Sequence, residues 1–147
     1  MGKKISKTIQ SKTDNLLEVR EFILDAARKI GFPDEEASKI VLAVDEACTN
    51  IIKHAYQFAS DKSIHIDVTE GVNSIQICIS DEGKAFNPST IKTPDLKQHL
   101  ASFRRGGLGV YLMKTLMDKV EYSIAPGKRN IVRLTKYLTP ESSATQT

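Results

Sequence analysis

Apolar residues recur along this chain at two periods, and the switches between those periods divide it into elements. Residues 4–10, KISKTIQ, read as a short strand. From there to residue 30 the apolar positions Leu16, Leu17, Phe22, Ile23, Ala26, Ala27 and Ile30 keep helical spacing. Thr13 or Asp14 is the expected cap, and Gly31 takes the C′ position that ends the helix. Pro33-Asp34 opens a second predicted helix, with a buried stripe of Ala37, Ile40, Val41, Val44, Ala47, Cys48, Ile51, Ile52 and Ala55. Two strands follow, SIHIDVTE and SIQICISD, joined by Gly71-Val72-Asn73. In the second strand Ile75, Ile77 and Ile79 share a face, and Asp81 falls on the same parity, so a carboxylate closes an apolar row. Residues 87–105 are polar and broken by Pro88 and Pro94, a long connection of the kind that usually serves function. Gly106-Gly107-Leu108-Gly109 then opens a helix through VYLMKTLMDKV. A strand at 120–124, a turn at Pro126-Gly127 and the strand NIVRLTKYL complete the pattern. The order predicts an α/β fold: a two-layer α/β sandwich whose mixed, mostly antiparallel sheet is covered by helices on one face. One domain is expected over 1–147, with its core at about 5–138 and a flexible tail at 139–147.

Composition narrows the classes without naming one. The 147 residues can bury a real core, and 40% hydrophobic with 27% charged residues is ordinary for a globular chain. A net charge of +3, scattered along the sequence, gives no reason to expect direct nucleic-acid binding. No stretch approaches the ~20 apolar residues of a membrane span. Met1-Gly2 with Ser6 fits only a short and permissive myristoylation pattern. Cys48 and Cys78, without a CxxC spacing or a signal peptide, are expected as small buried hydrophobes of a cytoplasmic protein.

Three features carry candidate chemistry. Glu46 and Asn50 lie four residues apart on one edge of the second helical stripe, so their side chains stack one turn apart. Asp81, with Gly83 and Phe86, forms a D-x-G-x-x-F sequence at a strand end. The Gly106–Gly109 run offers free backbone N–H groups at a helix start, which suits phosphate. Taken singly, each has an ordinary structural reading: helix-boundary residues, a turn, a loop end. Their order within one small domain is the specific signal. No G-x-x-x-x-G-K-[ST] loop and no H-R-D or D-F-G set competes with it.

That constellation resembles the ATP-binding (GHKL, or Bergerat) fold shared by type II topoisomerases and sensor histidine kinases, over about residues 5–138. The resemblance implies ATP and Mg²⁺ as cofactors, with Asn50 as the metal ligand and Glu46 as general base. It implies that Asp81 accepts a hydrogen bond from the adenine amino group and that Gly83 lets the backbone approach the base. Phe86 belongs to the same motif. Gly106, Gly107, Leu108 and Gly109 would line the phosphates, the 87–105 segment would be the lid, and Arg104 and Arg105 are candidates for γ-phosphate contacts. His54 extends the series 46, 50, 54 as a candidate pocket wall. Two departures stand out. Ala85 replaces a second glycine common in the wider superfamily, and Arg129-Asn130 replaces a late Gly-Thr, leaving Asn130 as a water-mediated candidate.

Size sorts the branches, because 147 residues leave no room for the coupling domains of the larger members, and the first helix holds no phospho-accepting His. The blocks EACTNIIKHAY, DEGKAFNP, RGGLGVYLM and NIVRLTK are similar to those of bacterial anti-sigma factor serine kinases. That resemblance implies a homodimeric protein that sequesters a sigma factor and phosphorylates a serine of an anti-sigma factor antagonist, in a partner-switching system. The alternatives are a non-catalytic, nucleotide-gated binding module, or an ATP-binding domain serving another regulatory assembly.

Overall fold

A computed structural model describes residues 3–83, 107–125 and 129–138. Five strands form a single sheet: β1 (Lys4–Gln10), β2 (Ser63–Gly71), β3 (Ser74–Asp81), β4 (Lys119–Ala125) and β5 (Arg129–Tyr137). Their spatial order is β1-β2-β3-β5-β4, and every neighbouring pair is antiparallel. The expected sandwich is therefore present, with no parallel pair among the described residues. Among the described residues three α-helices accompany it: α1 (Leu16–Ile30), α2 (Asp34–Asn50) and α3 (Gly107–Leu116).

Strand alternation decides which face the helices cover. Ile64, Ile66 and Val68 of β2, Ile75, Ile77 and Ile79 of β3, and Val132 and Leu134 of β5 are all buried. They share the core with Val19 and Ile23 of α1, Ile40 and Val44 of α2, and Met113 of α3. The alternate residues of β2 and β3, such as His65, Asp67, Gln76 and Cys78, retain partial exposure. Cys78 is thus not a core residue, contrary to expectation. Cys48 is, and burial, with the nearby Asp45 charge, pushes its thiol up to about 12.

Local chemistry fixes the element ends. A 3₁₀ turn over Thr13–Asn15 leads into α1, whose N-cap residue is Asn15, not Thr13 or Asp14, and makes no side-chain bond to the helix. Asn15 Nδ2 instead donates to the Gln10 carbonyl at 3.0 Å, closing the turn from β1. Gly31, at φ 119°, lets its own N–H and that of Phe32 bond back to the Ala27 carbonyl and ends α1. Asp34, Glu35 and Glu36 place negative charge at the positive end of α2. Lys136 of β5 is only 11% exposed; its Nζ donates to the Leu116 carbonyl at 2.8 Å and lies 3.2 Å from Glu36. One cation thereby joins the end of α3, the start of α2 and the sheet.

The second helix departs from the sequence expectation. It does not run on to Ala55 as one α-helix: Ile51–Ala55 are wound as a π-helix. The Tyr56 N–H bonds to the Ile51 carbonyl at 2.9 Å, an i→i+5 bond. No helix among the described residues is long and apolar enough to cross a membrane.

Candidate functional site

α2, β3 and β5 each deliver one polar side chain to the same cavity. Asn50 is the last residue of α2 and only 6% exposed. Its Nδ2 is buried and has no hydrogen-bond partner among the described residues. Such an orphaned donor is uncommon in a folded interior and marks a place where something else is expected to bind. Asp81 ends β3 and is 5% exposed. Its Oδ1 accepts from the Gly83 N–H at 2.8 Å and from Asn130 Nδ2 at 2.9 Å. Antiparallel register sets Asp81 opposite Asn130, and the same amide also donates to the Gly83 carbonyl at 3.0 Å. Burial raises the Asp81 carboxyl above its ordinary range, although the Asn130 and Gly83 donors oppose the shift. Neither of these two bonds uses Oδ2.

Asn50, Asp81 and Asn130 line the cavity with Ala47, Ile51, Ala55, Tyr122 and Val132, and it encloses about 390 Å³ counting its open mouth. Its walls are apolar and its three polar side chains converge, the arrangement of a pocket that orients a ligand by few contacts. Burial raises the Tyr122 phenol well above its usual value.

Glu46 lies one turn before Asn50 on α2 and is partly buried, but it does not line this cavity. Burial, reinforced by the neighbouring Asp45 charge and opposed by Lys53, raises its carboxyl. His54 falls within the π-helix, so the 46, 50, 54 series loses α-helical spacing after Asn50, and His54 does not line the cavity either. Gly107, Leu108 and Gly109 form the first turn of α3, whose N-terminal N–H groups have no partner within the helix itself. Phe86, Ala85, Arg104, Arg105, Gly106 and the 87–105 segment lie outside the described residues.

Gly83 has a reason of its own to be glycine. A Cβ there would fall 2.4 Å from the Ala55 carbonyl oxygen, 2.6 Å from its carbon and 2.8 Å from Tyr56 Cδ1. Backbone cannot step aside as a side chain can, so Gly83→Ala is expected to lose about 1–3 kcal/mol of stability, read as a lower thermal midpoint. An unchanged midpoint would show that this contact is looser than described. Tyr56 closes the block EACTNIIKHAY and Tyr122 lies outside the quoted blocks; no role is read for either, since neither belongs to a spacing with chemical meaning.

The model of the histidine kinase-like ATPase domain family matches residues 9–136. A serine-protein kinase RsbW of Bacillus mycoides (strain KBAB4) is 31% identical over 144 residues, covering 94% of this chain and 87% of the relative. The serine-protein kinase RsbW of Bacillus subtilis (strain 168) is 35% identical over 130 residues, covering 84% and 78%. Among solved structures, the RsbU and RsbW domains of a Mycobacterium tuberculosis protein superpose with a TM-score of 0.64 at 14% identity. That match covers 92% of this chain and 32% of the longer one, and it supports the fold alone. With a family match across nearly the whole chain and relatives above 30% identity, this protein belongs to the histidine kinase-like ATPase family, in the branch of the serine-protein kinases RsbW.

Proposed function

We propose that this chain is an ATP- and Mg²⁺-dependent protein serine kinase that doubles as an anti-sigma factor. In this reading it acts as a homodimer, holds a sigma factor, and phosphorylates a serine of a small antagonist to control its release. The observation that carries the nucleotide site is the convergence of Asn50, Asp81 and Asn130 in one apolar cavity, with the Asn50 amide left unsatisfied. The relatives named serine-protein kinase support the reaction class.

The residues fit the proposed cofactors. Among the described residues no group of three His, Cys, Asp or Glu side chains could hold a metal. A hard cation that keeps waters and phosphate oxygens as most of its ligands needs little from the protein, and the Asn50 carbonyl oxygen is a suitable donor. When bound, Mg²⁺·ATP supplies the phosphoryl group and the charge that neutralises its oxygens. Asp81 would accept from the adenine amino group, held in place by Asn130 and the Gly83 N–H. The first turn of α3 would present N–H groups to phosphate. Glu46 would take the proton from the serine hydroxyl as its oxygen bonds to phosphorus and ADP departs. A raised carboxyl makes Glu46 a better base than an ordinary surface glutamate.

Two measurements test this together. ATP·Mg²⁺ at ~100 times its Kd is expected to stabilise the fold by ~2.7 kcal/mol, a melting shift of roughly 5–11 °C. Labelled ATP·Mg²⁺ with soluble extract of the source cells is expected to place acid-stable, alkali-labile phosphate on one small protein. A chain that ATP and ADP both fail to stabilise, and that labels nothing, would overturn the proposal.

A further inference from the structure

Tyr56 occupies a junction that none of the motif residues explains. It follows the π-helix directly and is 8% exposed. Its backbone is held from both sides: its N–H bonds to the Ile51 carbonyl at 2.9 Å, and its carbonyl accepts from Ala59 N at 2.9 Å. The next two residues, Gln57 and Phe58, have φ of 49° and 67°, in the left-handed region that non-glycine residues rarely adopt. Two such residues in succession persist only where the surroundings over-determine them. Here the Phe58 N–H bonds to the Ile52 carbonyl at 2.8 Å, back onto the π-helix.

The side chain uses both hydrogen-bonding capacities of its phenol. The hydroxyl donates to the Ser63 carbonyl at the start of β2 and accepts from the Glu82 N–H at 2.9 Å. Glu82 sits between Asp81 and Gly83, on the turn whose N–H and carbonyl groups frame the Asp81 carboxylate. The ring also abuts that turn, since a Cβ placed on Gly83 would fall 2.8 Å from its Cδ1. One side chain therefore ties the end of the π-helix, the start of β2 and the turn after β3 to a common point.

Resting on the nucleotide reading above, we propose that Tyr56 is a positioning residue that fixes the Asp81–Gly83 turn and thereby sets selectivity for adenine. Asp81 is already held at its carboxylate by Asn130. Tyr56 supplies a second restraint, on the Glu82 N–H that follows Asp81 in the backbone. With that restraint removed, the carboxylate still exists but loses its fixed height in the pocket. A displacement well under the length of a hydrogen bond is enough to weaken contact with the base.

Tyr56→Phe removes the hydroxyl and keeps the ring. The probes are ATP, GTP and inorganic tripolyphosphate, each with Mg²⁺, binding to the full chain by calorimetry. Tripolyphosphate reads the phosphate end alone. The variant is expected to bind ATP about 5–20-fold more weakly than wild type and to lose ATP-over-GTP preference by a similar factor. Its tripolyphosphate affinity is expected to remain unchanged, and transfer at saturating ATP should keep its kcat while KM for ATP rises. A variant that retains the full preference for ATP overturns the inference. So does one that loses tripolyphosphate and ATP affinity in equal measure, since that marks general loosening of the fold. A wild-type chain that binds no ATP refutes the functional reading itself, a result distinct from either of these.

Discussion

Glu46→Gln is expected to lower the rate of phosphate transfer by about 10²–10⁴-fold while leaving ATP affinity within about threefold. The amide fills the space of the carboxylate and cannot take a proton. The variant should fold at least as well as wild type. Burial raises the Glu46 carboxyl in the folded chain, with Asp45 adding to the shift, so its charged form is a burden on folding. For a carboxyl raised on folding, the stability contribution is fully present below the unfolded pKa and is lost as pH rises through the folded one. Removing the charge at neutral pH therefore relieves a cost. The same shift predicts that wild-type activity falls on acidification at a higher pH than an unperturbed glutamate would give, and that the Gln variant loses this dependence. Steady-state transfer measured across pH, beside a calorimetric ATP titration, checks both. A variant with near-normal kcat would remove Glu46 from the chemistry.

Asp81→Asn is expected to weaken ATP binding by about 10–100-fold, the range for leaving a buried polar group mispaired. Asn130 and the Gly83 N–H both donate to Oδ1, so the new side chain keeps its oxygen toward them. Its amide nitrogen then takes the place of Oδ2, and a donor meets the adenine amino donor. The substitution is nearly isosteric and removes a carboxylate that burial disfavours, so thermal stability should hold or rise. Competition with tripolyphosphate separates the base contact from the phosphate contacts. Full ATP affinity in this variant would show that Asp81 does not read the base.

Much of this arrangement was legible in the sequence because it depends on period alone. Parity along SIQICISD places Asp81 on the face of Ile75, Ile77 and Ile79, and the structure buries all four together. Spacing of four residues puts Glu46 and Asn50 on successive turns of α2. Where the outcome depends on partners distant in sequence, local pattern is silent. IIKHA continues the apolar stripe of α2 as an α-helix would, yet it winds as a π-helix, with the Ala55 carbonyl packed against Gly83. The start of α1 follows the same rule, since the side chain that closes its turn, Asn15, bonds back to β1 and not to the helix. Tyr56 ends the block EACTNIIKHAY with no role attached to it, because its partners lie 7 and 26 positions away and become neighbours only after β2 and β3 pair. Cys78 alternates correctly with the isoleucines, and it is the one-sided cover of the sheet that leaves it partly exposed.

The π-helix has a consequence for how this segment tolerates change. An i→i+5 ring spends one more residue than the α-turn it replaces. The count of residues between Asn50 and Tyr56 is thus a structural quantity, independent of which side chains fill it. Substitutions at Lys53, which is exposed, leave that count alone. Deleting any one residue from 51–55 would close this turn as an α ring instead, removing the wider ring from which the Ala55 carbonyl packs against Gly83. Over these five positions the chain is read by its length before it is read by its letters.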